Sequence, residues 1–378
     1  MKLEFLHEPE LEFGADSHID IRFGLANYGP FDFDSSLAPK EIKVGIIGTP
    51  ETAEGVQAWL ERCRNEIPAK QSRQPHLFRS FPGFSSDASF QSSVIMNSRL
   101  ERIISQKLFD NLRRKAKPNE IVAEGVNLFF EEVRYLAENN LGDVIICAVP
   151  MVLLESIESL KEAISDQSDD AEAEAEVGSE EEAVPQHLDF HDMLKAKAMS
   201  LSVPIQIVLP TTYDETKRRR QKNRPEKMRR VQDEATRAWN FHTALYYKAG
   251  GTPWRLKRDA SSLTTCYVGI SFYETLDRSS LLTSIAQVFN ERGDGVVVRG
   301  GTATFSKDDR QPHLQSQDAY QLLVEALDRY RREHRTLPAR VVLHKSSTYS
   351  SEEIDGFTKA IHSQRVDSID LISINDSF

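Results

Sequence analysis

The chain has 378 residues, of which 39% are hydrophobic and 28% are charged, and its formal net charge is −11. This length exceeds what one compact core usually holds, so two or three domains are expected. No apolar run is long enough to span a membrane, and the first residues lack the basic start and apolar stretch of a secretory signal. Its 3 widely separated cysteines show no metal-ligand spacing and suit a reduced cytoplasmic protein.

The net charge conceals two segments of opposite charge. Nine carboxylates lie between Asp166 and Glu182, and nine basic residues lie between Lys217 and Arg230. The acidic segment is poor in aromatic and β-branched residues, which predicts a disordered surface insertion. The basic segment leaves two interpretations open: it steers a polyanion, or it is the solvated face of a helix.

The first part of the chain predicts strands that alternate with helices. Residues 1–36 predict short strands and turns, because glycines and Pro30 interrupt them. IKVGIIGTPETAEG then predicts a strand, a turn and a helix, and further helices alternate with the apolar strands GDVIICAVP and VPIQIVLP. The helix ATRAWNFHTALYYK ends at paired glycines. This order predicts a doubly wound α/β domain, whose ligands lie at the carboxyl ends of the strands.

A second unit is predicted from Asp259 onward. CYVGISFYET predicts a strand, LLTSIAQVFNERGDGVVVRGG predicts a strand, a turn and a strand, and the following segment predicts a helix and a further strand. This order resembles the first half of an RNase H-like fold. The predicted apolar stripe of the helix consists of Ala319, Leu322, Leu323, Ala326, Leu327 and Tyr330.

Four polar residues of the first unit form a candidate site. His191 and Lys195 stand four apart on a predicted helix and therefore share one face. Gln206 interrupts the next apolar strand, and Lys248 lies near the end of a later helix, where the helix dipole favours a cation. The set contains no nucleophile or general-base pair. It does offer donors for a phosphate, at roughly 1.5–3 kcal/mol for each charge-assisted hydrogen bond.

The candidate site residues also have an ordinary structural interpretation. A His–Lys pair on a helix is usually solvated, and a buried glutamine usually bonds the backbone. VGIIGTPETAEG could also be the nucleotide loop of a Rossmann-like enzyme, but it lacks the full glycine fingerprint and a clear downstream acid. A structural strand, turn and helix is the favoured interpretation of that segment.

Five stretches make the chain resemble a short prokaryotic Argonaute over nearly its whole length. They are EPELEFG with DIRFGLANYGPFD, FHDMLKAKAMSLSVPIQIVLP, ATRAWNFHTALYYKAGGTPWRL, CYVGISFYE and AQVFNERGDGVVVRGG. The resemblance implies N-terminal strands and a linker over residues 1–36 and a Rossmann-like MID domain over 37–258, with the acidic insertion at about 165–186. The N-terminal part of an RNase H-like PIWI domain would follow over 259–378.

The resemblance also implies roles for individual residues. In this family the MID domain binds the 5′ phosphate of a guide strand, and His191, Lys195, Gln206 and Lys248 match the residues that do so. Mg²⁺ can accompany that phosphate, and no intrinsic cofactor is expected. The chain ends roughly a hundred residues before a PIWI domain of usual size would be complete.

The PIWI domain is expected not to cut. Argonautes that cut hold two divalent ions with acidic ligands, and Ser271 and Ser346 stand where two of these ligands are expected. Serine cannot replace the charge of a carboxylate on Mg²⁺. Glu274, Asp294 and Asp308 are nearby carboxylates, but a place on a strand or in a turn explains each of them.

The function implied is that of a sensor. Short Argonautes form a heterodimer with an APAZ-domain protein that carries a TIR or sirtuin-like NADase, or a nuclease. A guide RNA in the MID–PIWI cleft would pair with single-stranded DNA of an invading plasmid or phage. The pairing would activate the partner, so that loss of NAD⁺ kills or arrests the infected cell. Base pairing would supply the sequence specificity while the protein holds phosphates and helix shape.

Overall fold

The computed structural model describes residues 7–112, 114, 118–155, 157, 189–217, 220–221, 224–228, 231–257, 263–274, 281–289, 295–298, 302–306, 309 and 311–374. The predicted acidic insertion, Asp294 and Asp308 lie outside these residues. The chain divides into two compact units. The first unit comprises residues 11–254, and the second comprises 255–378 with residues 1–10. Residues 11–36, predicted as a separate N-terminal segment, are therefore grouped with the first unit, and the division after residue 254 lies close to the predicted boundary after 258.

The opening of the first unit contains a helix where strands and turns were predicted. Strands β1 (Leu11–Glu12) and β2 (Ser17–His18) pair antiparallel, and helix α1 (Ile21–Tyr28) follows. The prediction was wrong for α1 because Asp20 caps this helix, accepting a 2.6 Å hydrogen bond from the backbone N–H of Phe23. Gly29, with φ of 72°, ends it.

A parallel sheet forms the centre of the first unit. Its strands are β3 (Glu41–Gly48), β4 (Ser93–Ile95), β5 (Glu101–Ile103), β6 (Val144–Ala148) and β7 (Ile205–Val208). The order is β4-β3-β6-β7, with β5 also paired to β3, so β7 lies at an edge. The α-helices of this unit that follow α1 are α2 (Pro50–Arg62), α3 (Gln106–Leu112), α4 (Pro118–Glu138), α5 (Phe190–Ala198), α6 (Pro210–Tyr213) and α7 (Glu234–Lys248). Short 3-10 turns span Pro75–Leu77, Ser98–Leu100 and Glu215–Lys217.

Both faces of this sheet are covered. Along β6, Val144 and Ile146 point into a core shared with α2 and α7, whereas Ile145 and Cys147 point into a second core shared with α4 and α5. A strand buried on both sides needs apolar residues at every position, which explains the continuous apolar run of GDVIICAVP. The predicted doubly wound α/β architecture is confirmed.

Two threonine side chains fill the turn between β3 and α2. The Thr49 hydroxyl caps α2, accepting a hydrogen bond from the backbone N–H of Thr52, and both side chains are buried. The Thr52 hydroxyl donates to the Ala148 carbonyl at 3.1 Å. A Cβ on Gly48 would lie 2.4 Å from the Thr52 hydroxyl. A phosphate would have to displace these contacts, so the geometry favours a structural turn over a nucleotide loop.

The described backbone of the basic segment is extended between Arg220 and Met228, and Lys217 ends the 3-10 turn before it. Strands β8 (Arg220–Gln221) and β9 (Arg224–Met228) pair antiparallel. The interpretation of this segment as a helix face is therefore wrong. The alternative, attraction of a polyanion, stays a prediction.

The second unit contains a mixed sheet with two helices on one face. The strands from residue 255 onward are β10 (Arg255–Leu256), β11 (Thr265–Glu274), β12 (Leu281–Phe289), β13 (Gly295–Val298), β14 (Thr302–Phe305), β15 (Pro312–His313), β16 (Arg340–Lys345) and β17 (Ser368–Ser373). The sheet order is β15-β14-β12-β11-β16-β17, with β13 also paired to β12. Strand β11 runs antiparallel to β12 and parallel to β16, which is parallel to β17.

Helices α8 (Ser316–His334) and α9 (Ser351–Gln364) pack against this sheet. All six residues of the predicted α8 stripe are buried, which confirms it. No described helix is long and apolar enough to cross a membrane.

Candidate functional site

Helix α5 carries the first two predicted site residues. The Asp189 side chain caps the helix, accepting hydrogen bonds from the backbone N–H groups of His191 (2.9 Å) and Asp192 (3.2 Å). The buried residues of the helix, Phe190 and Leu194 among them, are four apart and face the core. His191 and Lys195 each follow one of these positions, and both are therefore exposed.

Gln206 and Lys248 are in direct contact. The Lys248 Nζ donates a hydrogen bond to the Gln206 Oε1, and both side chains are half-buried. Lys248 is the last residue of α7 and Gln206 is the second residue of β7. The contact therefore joins the end of a helix to the edge strand of the sheet.

The two lysines influence each other electrostatically. Burial and, to a smaller extent, the nearby positive charge of Lys195 lower the pKa of Lys248 to about 8. Both effects disfavour the ammonium form of Lys248 while no anion is present. An anion bound between the lysines would reverse this and raise the pKa of Lys248.

Lys195 and Lys248 line one mainly apolar pocket of about 440 Å³. Its other walls come from the end of α5 and the segment leading into β7: Ala198, Met199, Leu201, Ser202, Val203, Pro204 and Ile205. The sequence placed Gln206 within reach of a ligand at the carboxyl ends of the strands. The two lysines line a pocket beside the segment that leads into β7, at the amino end of that strand.

His191 does not join the other three residues. Its Nδ1 lies 3.0 Å from Asp192 Oδ1 on the exposed surface. The candidate ligand atoms of His191, Asp192 and Asp189 all lie within 4.8 Å of one another, so two carboxylates surround the imidazole. No hydrogen bond or ion pair among the described residues connects His191 to Lys195, Gln206 or Lys248.

In the second unit, Ser271 and Ser346 follow two paired residues of neighbouring strands. The register pairs Ile270 of β11 with Lys345, the last residue of β16. Ser271 lies within β11 and Ser346 directly follows β16, and both serines are exposed whereas Ile270 and Lys345 are buried. Glu274 ends β11.

No protein-family model and no curated protein matches this sequence. Solved structures do match. The Clostridium butyricum Argonaute bound to a guide DNA and a 19-mer target DNA is 15% identical, with a TM-score of 0.52 over 99% of this chain and 40% of that chain. The Marinitoga piezophila Argonaute in complex with a 5′-OH guide RNA is 10% identical, with a TM-score of 0.53 over 99% of this chain and 45% of that chain. The A. aeolicus Argonaute is 11% identical, with a TM-score of 0.50 over 96% of this chain and 38% of that chain.

The chain has the Argonaute fold. It spans less than half the length of the Argonautes it matches. The predicted fold class, a Rossmann-like MID unit followed by an RNase H-like PIWI unit, is confirmed. At these identities the likeness concerns the fold alone, so the roles of individual residues rest on the geometry described above.

A polar cavity of the MID unit escaped the sequence analysis. It measures about 210 Å³ and adjoins Gln206 on the side of α7. The Arg237 side chain in its wall is 8% exposed, and its buried Nε has no hydrogen-bond partner among the described residues. The remaining lining residues are Ile207, Val208, Thr212, Gln232, Asn240 and Phe241. The sequence analysis assigned no role to Arg237 or Asn240, and the packing of α7 beside β7 brings them to Gln206.

A buried ionic network lies behind the serine positions of the PIWI unit. The Lys345 Nζ donates to Glu353 Oε1 at 2.5 Å and to the Thr348 carbonyl at 2.8 Å, and the side chains of Lys345 and Glu353 are fully buried. Glu353 also accepts hydrogen bonds from the backbone N–H groups of Ser350 and Leu314. Burial alone would raise the pKa of Glu353, but these bonds hold it below its ordinary value. The network fixes the loop that contains Ser346.

Proposed function

We propose that this chain binds a guide strand by its 5′ phosphate, with Lys195, Gln206 and Lys248 as the donors. The observation that carries the proposal is the convergence of two lysines, from two helices, on one pocket beside an amide in a chain with the Argonaute fold. His191 would join this set only by leaving Asp192. A bound Mg²⁺ could accompany the phosphate, where it would offset part of the phosphate charge.

Electrostatics support a phosphate over other ligands. Charge-assisted hydrogen bonds to a terminal phosphate contribute roughly 1.5–3 kcal/mol each. Loss of two such bonds would weaken binding by roughly 10²-fold or more. A 5′-hydroxyl strand offers neither lysine a charged partner. One matched Argonaute is bound to a guide DNA and another to a guide RNA. An RNA guide for this chain is our proposal from the resemblance of its sequence to short Argonautes.

Binding of matched oligonucleotides tests this function. The dissociation constant of an 18-nucleotide RNA would be measured with a 5′ phosphate and with a 5′ hydroxyl. We expect a clear preference for the phosphate, and its loss in the Lys195→Ala, Lys248→Ala double variant. Lys107, an exposed lysine of α3, provides the matched control as Lys107→Ala. A double variant with an unchanged preference would refute the proposal.

We propose further that the chain is a catalytically inactive subunit. Guide-directed pairing with invading DNA would activate an APAZ-domain partner, an NADase or alternatively a nuclease, in a prokaryotic defence response. Recovery of the chain from its native host would test this, by identifying the copurified nucleic acid and protein. A short 5′-phosphorylated RNA together with an APAZ-containing protein is expected.

The second candidate function is a Rossmann-like nucleotide-binding enzyme. The filled turn at Thr49 and Thr52 leaves it without structural support. A copurified dinucleotide in place of RNA would favour it.

A further inference from the structure

We propose that Lys248 is also a modification site, acylated by acyl phosphates, which are small molecules whose acyl carbon is bonded through oxygen to a phosphoryl group. The inference rests on the proposed function, because Lys195, one of the two lysines proposed to hold a guide phosphate, would hold the phosphoryl group of such a reagent while the neutral Lys248 amine reacts. It adds a covalent reaction and a means of regulation to that site.

The first argument is the environment of the Lys248 amine. The amine is half-buried and its described partner is a neutral amide oxygen, that of Gln206. Lys195 lines the same pocket and presents a like charge. Burial and a neighbouring cation are the two conditions that activate lysine amines as nucleophiles. The pKa of Lys248, lowered to about 8 by burial and then by Lys195, agrees with this geometry.

The second argument is the shape of the pocket. Its lysine side would bind a phosphoryl group, and its apolar walls, which include Val203 and Ile205, would contact a short acyl chain. Both halves of an acyl phosphate are therefore matched within one pocket. This places the acyl carbon beside the amine, and such proximity accelerates acyl transfer.

The reaction balances without a further reagent. The lone pair of the neutral Lys248 amine attacks the acyl carbonyl carbon and forms the C–N bond. The bond between the acyl carbon and the phosphate oxygen breaks, and inorganic phosphate leaves with that electron pair. The amine proton passes to solvent or to the departing phosphate. One N–H bond remains and can continue to donate to Gln206.

The product would no longer bind phosphate well. An acyl-lysine is neutral, so one of the two cations of the site is lost, and the acyl group fills part of the pocket. We therefore expect acylation to reduce the preference for a 5′-phosphorylated guide, and Lys248→Gln to have a similar effect.

The expected selectivity can be calculated. A pKa of about 8 in place of 10.5 multiplies the neutral amine fraction near pH 7.5 by roughly 10². The lower basicity reduces the intrinsic nucleophilicity by roughly tenfold, if the Brønsted slope is about 0.4–0.5, as it is for thiols. Lys248 should thus be acetylated roughly tenfold faster than the exposed Lys107 before any effect of phosphoryl binding is added.

The test uses the full chain and two reagents. Acetyl phosphate carries a phosphoryl group, and N-hydroxysuccinimidyl acetate does not. Mass spectrometry would follow acetylation of Lys248 and Lys107 with each reagent, with and without inorganic phosphate. We expect both reagents to acetylate Lys248 faster than Lys107. The ratio of the two rates should be larger with acetyl phosphate, and competing inorganic phosphate should remove this increase. Acetylation of Lys248 by acetyl phosphate at or below the level of Lys107 overturns the inference.

The failure of this inference and of the proposed function can be told apart. A preference for 5′-phosphorylated RNA without selective acetylation of Lys248 would support the proposed function and refute the modification site. Selective acetylation of Lys248 without a 5′-phosphate preference would support the modification site and refute the proposed guide binding. Lys107→Arg removes the reference acetylation and should leave Lys248 acetylation unchanged.

Discussion

At the scale of single residues, Lys248 links guide binding to pH. Burial and then Lys195 lower its pKa to about 8 in the free protein, and a bound phosphate would raise it. The second phosphate pKa lies at about 6. The 5′-phosphate preference should therefore be greatest between about pH 6 and pH 8, and above that range it should fall by up to tenfold per pH unit.

This prediction is checked by the ratio of the dissociation constants of 5′-phosphorylated and 5′-hydroxyl RNA from pH 5.5 to 9.5. In Lys248→Arg the guanidinium stays charged throughout, so the decrease above pH 8 should disappear. A ratio that stays constant above pH 8 in the unchanged protein would contradict the assignment.

His191 is expected to matter less than the resemblance implies. Its ring is exposed and engaged with Asp192, and exposed ion pairs contribute roughly 0–1 kcal/mol. We expect His191→Ala to change the 5′-phosphate preference by less than about threefold, within what such a pair contributes. Lys195→Ala, measured in the same assay, should have a much larger effect. Equal effects of the two substitutions would show that His191 moves into the site on binding.

At the scale of elements, the start of α9 depends on one buried carboxylate. Glu353 pairs with the fully buried Lys345 and accepts two backbone N–H groups. Removal of one partner of a buried pair typically costs about 3–5 kcal/mol. Glu353→Ala should therefore greatly increase amide hydrogen exchange in α9.

The neighbouring Glu352 offers a matched control, because it is exposed in the same first turn. Glu352→Ala should cost only about 0.3–1 kcal/mol, through the helix dipole. The pKa of Glu353 is held below its ordinary value, so its stabilising effect is present above the unfolded pKa and is lost as pH falls through the folded one. Similar exchange rates in the two variants would refute the role of the pair.

The cap of α2 gives a second test at this scale. Thr49 and Thr52 form a reciprocal capping box in a buried turn. Thr49→Ala should lower the free energy of unfolding of the MID unit by about 1 kcal/mol, as N-cap losses typically do. Chemical denaturation of the full chain, followed by the fluorescence of the buried Trp59 and Trp239 in this unit, would measure it. A loss near zero would mean that Thr52 alone fixes the turn.

Elements were predictable where one periodicity dominated the sequence. The apolar stripe of α8 follows the helical period and the apolar run of β6 is typical of a buried strand. The structure has a helix and a strand at these positions, as predicted. Helix α1 was missed because Gly24 and Gly29 suggested turns, although Asp20 provides a recognisable cap. Charge alone could not distinguish a helix face from the strand pair β8–β9.

At the scale of the whole molecule, we predict that the guide-loaded protein does not cut complementary DNA. Ser271 and Ser346, which follow the paired residues Ile270 and Lys345, provide no charge for divalent ions. Incubation with guide, complementary DNA and Mg²⁺ or Mn²⁺ checks this, with a cleaving Argonaute as the positive control. Guide-directed products would show that other carboxylates hold the metal.

The candidate site was only partly predictable at this scale. The residue types indicated a set of hydrogen-bond donors suited to a phosphate. The resemblance to short Argonautes indicated that this phosphate is the 5′ phosphate of a guide strand. The contact of the His191 ring with Asp192 could not be foreseen, because it depends on the side-chain conformations of two neighbouring residues in one helical turn. The position of the lysines near the amino end of β7 follows from the direction of the helices, which the strand pattern alone does not reveal.

The hydrogen bond between Lys248 and Gln206 has a consequence for how a ligand arrives and leaves. Among the described residues, no carboxylate is paired with Lys195 or Lys248. An entering strand would therefore break no ion pair between these lysines and the described residues. Release of counterions from the strand would make loading and exchange depend strongly on ionic strength.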